Sequence, residues 1–144
     1  MLTFTIDNTM EALATGAERL ERYCEEAGLS TALAYRANLA YEELVSNIIK
    51  YGYRDTAAHT IAIEFDGSPV ACRLRITDDS NPFNPFHDAT KPELEIPLEE
   101  RPIGGLGVYL IRQMVRSFHY ERAGNRNIVT IEFVDEAPDG AAMP

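Results

Sequence analysis

The segment HTIAIEFDGSPVACRLRITD, residues 59–78, alternates apolar and polar residues on both sides of a Gly-Ser-Pro break. Alternation with period two is the pattern of a half-buried strand, and Gly-Ser-Pro is turn chemistry. The stretch predicts an antiparallel hairpin of strands 59–66 and 70–78. Working outward, LTFTID (2–7) reads as another strand. Asn8 or Thr9 then caps a helix in which Met10, Leu13, Ala17, Leu20 and Cys24 recur at helical spacing, and Gly28 ends it. Ser30 caps a longer helix whose Leu33, Ala37, Ala40, Leu44 and Ile48 share one face, closed by Gly52. A third helix is expected from about Gly107 to Ser117, followed by strands 118–122 and 127–135 around AGNR. Helices that precede and separate antiparallel hairpins predict an α+β fold, with helices on one face of a sheet.

Length and charge set the bounds. The chain has 144 residues, 45% hydrophobic and 25% charged, which suits one domain with a proper core. The expected domain is 1–135, with 136–144 as a flexible tail. A net charge of −10 argues against direct binding to nucleic acid or an anionic membrane. No apolar run approaches the ~20 residues of a membrane helix, and the first residues lack the pattern of a signal peptide, so a cytoplasmic location is expected. Cys24 and Cys72 form no CxxC pair and read as reduced structural thiols.

Three stretches carry candidate chemistry. RPIGGLGVYLIRQM (101–114) crowds Gly104, Gly105 and Gly107 against a helix start. Such a start offers unpaired N–H groups and partial positive charge, which suits phosphate, although a hinge would use the same glycines. The stretch fits neither the P-loop nor the dinucleotide fingerprint. In YEELVSNIIKYGY (41–53), Glu43 and Asn47 lie one helical turn apart. A carboxylate and a carboxamide so placed can orient a nucleophile and hold hydrated Mg²⁺, or form an ordinary polar strip. In RITDDSNPFNP (75–85), Asp78 ends a strand, where it can accept from an exocyclic amine or shape a turn. Between these stretches, residues 79–104 hold five prolines and no period, and read as a long loop of the kind that is usually functional.

In this order and at these separations, the three stretches resemble the ATP-binding domain shared by gyrase, the heat-shock chaperone, mismatch-repair ATPases and histidine kinases. ELVSNIIKYGY is similar to that family's N-box, DDSNPFNP to its first glycine box and RPIGGLGVYLIRQM to its second. Within the family, NIIKYGY, PFNP and GGLGVYLIRQMV are most similar to bacterial anti-sigma factor serine kinases, over about residues 5–134.

The resemblance implies a two-layer sandwich with a mixed, mostly antiparallel sheet covered on one face by helices. It implies Glu43 as general base, Asn47 as a ligand of Mg²⁺ on the ATP phosphates, and Asp78 as acceptor for the adenine amino group. It also implies Gly105 and Gly107 against the phosphates, residues 80–104 as the ATP lid, and Arg101 as a phosphate contact. The implied partners are an anti-sigma-factor antagonist carrying an acceptor serine and a sigma factor held inactive, with the kinase a homodimer. Ser80 stands where the first glycine box has glycine. Lys50 is read as exposed, and the tyrosines 35, 41, 51, 53 and 109 as core or cleft-lining. His59, His87 and His119 show no metal-ligand spacing, so no zinc is assigned. A chain of 144 residues leaves no room for a phosphoacceptor or transducer domain, so action on a partner in trans is expected. The alternative is an ATP-binding regulatory module without kinase activity.

Overall fold

The computed structural model describes residues 1–85 and 105–135. Strand β1 (Leu2–Asp7) leads into helix α1 (Met10–Ala27) and helix α2 (Thr31–Asn47). Hairpin β2 (Thr60–Gly67) and β3 (Ala71–Asp78) follows, then helix α3 (Gly105–Met114) and hairpin β4 (Ser117–Ala123) and β5 (Arg126–Val134). The helix limits follow from local chemistry. Thr9 accepts from the Ala12 N–H and Ser30 from the Leu33 N–H, each at 3.1 Å, which satisfies donors that a first turn leaves unpaired. Gly28 takes the left-handed conformation at φ 77°, where Leu29 N–H reaches Cys24 O at 3.0 Å and Gly28 N–H reaches Glu25 O at 3.2 Å. Those two bonds stop α1 in a Schellman motif.

The sheet runs β1-β2-β3-β5-β4, and every neighbouring pair is antiparallel. The expected α+β sandwich with a mostly antiparallel sheet is found, and no parallel pair occurs among the described strands. Helix α1 lies over β1 and β2, α2 over β3 and β5, and α3 packs against α2. Period two sends Ile61, Ile63, Phe65, Leu74, Ile76, Val129, Ile131 and Phe133 into the core beneath the helices. On the open face Glu64 lies opposite Arg75, and Arg73 opposite Glu132.

Three details differ from expectation. Helix α3 starts at Gly105 rather than Gly107, so Gly105 and Gly107 lie in its first turn. It ends at Met114, and Arg116 N–H already donates to Glu132 O at 2.7 Å, which draws the chain into the sheet before Ser117. After Asn47 the chain widens into a π-helical turn, Ile48–Gly52, where a plain helix end was expected. Among the tyrosines, Tyr41 is fully buried with its hydroxyl donating to Leu13 O at 3.0 Å, but Tyr35 is 65% exposed and belongs to neither core nor cleft. Cys24 and Cys72 are free and buried, and burial pushes their thiols up to about 11 and about 12. Among the described residues no helix is long and apolar enough to cross a membrane. The tail 136–144 lies outside them.

Candidate functional site

A cavity of about 400 Å³ opens between α2 with its π-helical turn and the ends of β3 and β5. That volume falls within the range of small-molecule pockets. Leu44, Ile48, Ile76 and Val129 give it apolar walls, and Asn47, Asp78, Ser80 and Asn127 supply polar groups. A π-helical turn inside a helix often marks a functional site. Here it carries Tyr51 and Gly52 to the cavity wall, and Arg54 just after it lines the same wall. The carbonyl of Gly52 accepts from Asn81 N–H at 3.1 Å and from Asn81 Nδ2 at 2.9 Å, joining this turn to the segment after β3.

Asp78 ends β3 on the core-facing side and is buried. Its Oδ1 accepts from Ser80 N–H at 2.9 Å, from the Ser80 hydroxyl and from Asn127 Nδ2 at 3.1 Å. Its Oδ2 receives no hydrogen bond from any described residue. Asn47 faces the same cavity, and its side-chain amide has no partner among the described residues. Glu43, one turn earlier on α2, lies outside the cavity lining and against the first turn of α3. A methyl group at position 107 would overlap its carboxylate, so Gly107 is the residue that lets α3 approach Glu43 this closely. Asn47 and Asp78 thus share a cavity, and Glu43 meets Gly107 a turn away. Gly105 is the first residue of α3. Arg101 and residues 86–104 of the expected lid lie outside the described residues. Lys50 is exposed, as its plain reading had it.

Among the described residues, the donor set fits a sparse magnesium site and no denser metal cage. No group of three or more His, Cys, Asp or Glu residues is placed to hold a metal among the described residues. An ion here would rest on the free amide oxygen of Asn47 and on oxygens of a ligand, the sparse arrangement magnesium accepts in phosphate sites.

Two features escape motif reading. One is Asn127, buried at the start of β5 directly opposite Asp78. Its signal in the sequence is parity, because it shares the inward face of Val129, Ile131 and Phe133. The other is a cluster beside the cavity. His59 contacts Asp55 through Nε2 at 2.9 Å and Asp79 through Nδ1 at 3.2 Å, and it stacks on Tyr53 with ring centroids 4.1 Å apart. The hydrogen bond to Asp55 raises the His59 pKa, and that to Asp79 adds to it. The bond from His59 holds Asp55 low. Burial pulls Asp79 upward, but hydrogen bonds from His59 and Tyr53 outweigh it and hold Asp79 low. Tyr53, which donates to Asp79 Oδ1 at 3.1 Å, is raised, first by burial and then by that bond.

Known proteins agree with this architecture. No curated protein sequence shows significant similarity to the chain. Among solved structures it is similar to the RsbU and RsbW domains of Rv1364c from Mycobacterium tuberculosis, with TM-score 0.62 and 17% identity, covering 92% of this chain and 32% of that one. It is also similar to the Erythrobacter litoralis EL346 blue-light activated histidine kinase, with TM-score 0.55 and 18% identity over 78% of this chain and 33% of that one. The histidine kinase domain of the EL346 protein gives TM-score 0.52 and 16% identity over 90% of this chain and 62% of that one. The chain therefore spans about a third to three-fifths of these proteins, and at such identities the likeness speaks for the fold. The sequence itself matches the family described as histidine kinase-like ATPase domain over residues 6–133. With the sheet order, the cavity and that match in agreement, the chain belongs to the histidine kinase-like ATPase domain family.

Proposed function

We propose that this protein is an anti-sigma factor serine kinase, which binds Mg-ATP and phosphorylates a serine of a small anti-sigma-factor antagonist. Family membership implies ATP as its nucleotide. One observation carries the finer reading. Glu43 and Asn47 project from α2 one turn apart, and neither side chain has a hydrogen-bond partner among the described residues. A helix that only packs has no use for an unpaired amide at a cavity and an unpaired carboxylate one turn away, against the first turn of α3. In this reading Asp78 Oδ2 accepts from the adenine amino group, and Gly105 and Gly107 lie against the phosphates. Asn47 is the protein ligand of Mg²⁺, which would neutralise charge on the phosphates. Glu43 takes the proton of the acceptor hydroxyl as its oxygen bonds the γ-phosphorus and the bond to the ADP oxygen breaks. A phosphate on the antagonist adds about −1.5 to −2 charges, enough to weaken docking on a chain of net charge −10. The antagonist, freed of phosphate, would then displace a sigma factor from a kinase dimer.

The assignment to anti-sigma factor kinases, rather than to another branch of the family, rests on NIIKYGY, PFNP and GGLGVYLIRQMV. Ser80 in the first glycine box favours a second reading, an ATP-binding regulatory module without transfer. The test is phosphoserine formation on a cognate antagonist, measured beside ATP affinity. Glu43→Ala is expected to keep ATP and transfer at least ~100-fold more slowly. Asn47→Ala is expected to lose Mg-dependent ATP binding as well. If the wild type labels no antagonist yet changes partner affinity with ATP, the regulatory module is the correct account.

A further inference from the structure

We infer that Asn127 is the positioning residue that fixes which nucleobase this cavity accepts, by holding Asp78 with a single acceptor atom turned to the ligand. The inference rests on the nucleotide reading above and deepens it. The Asn127 amide cannot turn over. Its Oδ1 accepts from Phe83 N–H at 3.3 Å and contacts the Tyr120 hydroxyl. Its Nδ2 donates to Asn81 O at 2.9 Å and Ser80 O at 3.4 Å. A backbone N–H can only donate and a carbonyl can only accept, so these partners fix the two ends of the amide. What Asn127 presents to Asp78 is therefore an N–H, at 3.1 Å. Ser80 adds its own N–H and its hydroxyl to the same Oδ1.

Oδ1 is filled by three donors, and Oδ2 is the acceptor that remains. A base that offers an N–H at that point is satisfied. A base that offers a carbonyl there meets a second acceptor, and both are left unpaired in a buried place. The site is thus built for a nucleotide with an exocyclic amine on this edge, and against one with an oxo group. The serine in place of the motif's glycine acts with Asn127, since its hydroxyl is one of the three donors. Asn127 also anchors Ser80, Asn81 and Phe83 at the start of the segment that leaves β3, and Arg122 Nη1 holds Ser80 O at 2.9 Å.

Two substitutions test this. Asn127→Asp keeps the shape and replaces the donor by an acceptor facing Asp78. Ser80→Ala removes one donor and disturbs the fold least. Affinities for ATP and GTP are measured by calorimetry on each folded variant, with folding checked by circular dichroism. Asn127→Asp is expected to weaken ATP by about ten- to a hundredfold and to narrow the ATP-to-GTP ratio at least about tenfold. Ser80→Ala should narrow the ratio in the same direction by a smaller factor, and it decides the matter alone if Asn127→Asp does not fold. A residue that merely supports the fold would weaken both nucleotides together and leave the ratio unchanged. An unchanged ratio in the folded variants overturns the inference and leaves the nucleotide reading standing. A wild type that binds ATP and GTP equally also overturns it. A wild type that binds neither overturns the nucleotide reading, and this inference with it.

Discussion

Position 107 is glycine because Glu43 lies over it. Gly107→Ala drives a methyl group into the carboxylate, an overpacking that is expected to cost about 1–3 kcal/mol in urea unfolding. In a Glu43→Ala background the clash is gone, and alanine is favoured over glycine inside a helix by about 0.8–1 kcal/mol. The same substitution should there become neutral or stabilising. Equal destabilisation in both backgrounds would remove the contact from the account. Asp78→Asn makes a second test at this scale. On the proposed function, exchanging the carboxyl acceptor for an amide should weaken ATP about ten- to a hundredfold by calorimetry. Glu43, Asn47 and Asp78 were legible because each sits in a local motif. Asn127 was not, because an asparagine after a hairpin turn looks like turn chemistry, and its meaning depends on Asp78, 49 residues away.

The cluster of His59, Asp55, Asp79 and Tyr53 clasps the link between the π-helical turn and β2 to the end of β3. Asn8 extends the clasp to the start of α1, through Asn8 N–H to His59 O at 3.0 Å and His59 N–H to Asn8 Oδ1 at 3.1 Å. Its pH dependence has a definite sign. The folded pKa of His59 is raised above 6.5, so its contribution is complete below 6.5 and is lost as pH rises through the folded value. Asp55 and Asp79 are lowered below 3.8, so theirs is complete above 3.8 and is lost as pH falls through their folded values. The clasp is strongest between those limits. Thermal melts of wild type and His59→Gln from pH 3 to 9 should differ most inside that window and converge on both sides, whereas a constant gap would argue against an ionic clasp. Elements of this fold were legible wherever a period was long. The hairpin of β2 and β3, the Ser30 cap and the apolar face of α2 follow from alternation, cap chemistry and helical spacing, and the first cap was narrowed to Asn8 or Thr9, of which Thr9 is the one used. The π-helical turn was not legible, because Ile48–Gly52 directly continues the pattern of α2 and a one-residue widening of the backbone bonding leaves no mark in residue spacing. The start of α3 at Gly105 was not legible, because three glycines in four positions read as loop.

For the molecule as a whole, a ligand that binds only the folded chain raises its stability by mass action. Nucleotide at 100 times its dissociation constant contributes about 2.7 kcal/mol. For a domain of this size that is a rise in Tm of about 5–11 °C, readable in a melt with and without Mg-ATP. Asp78→Asn at the same nucleotide concentration should show a clearly smaller rise, and an equal one would place the nucleotide elsewhere. The overall layering could be read from the sequence, but the pairing of β3 with β5 could not, because it joins segments across the whole of α3 and β4. That pairing has a consequence for folding. A slip of one residue between these strands would set Ile128 opposite Asp78 and turn Asn127 to the open face. Such a mis-threaded sheet could still collapse around apolar side chains, yet it would have no competent cleft. Nucleotide present during refolding therefore acts as a proofreader. It rewards only the chain whose ladder has closed in register, so it should raise the yield of native protein more than it speeds collapse.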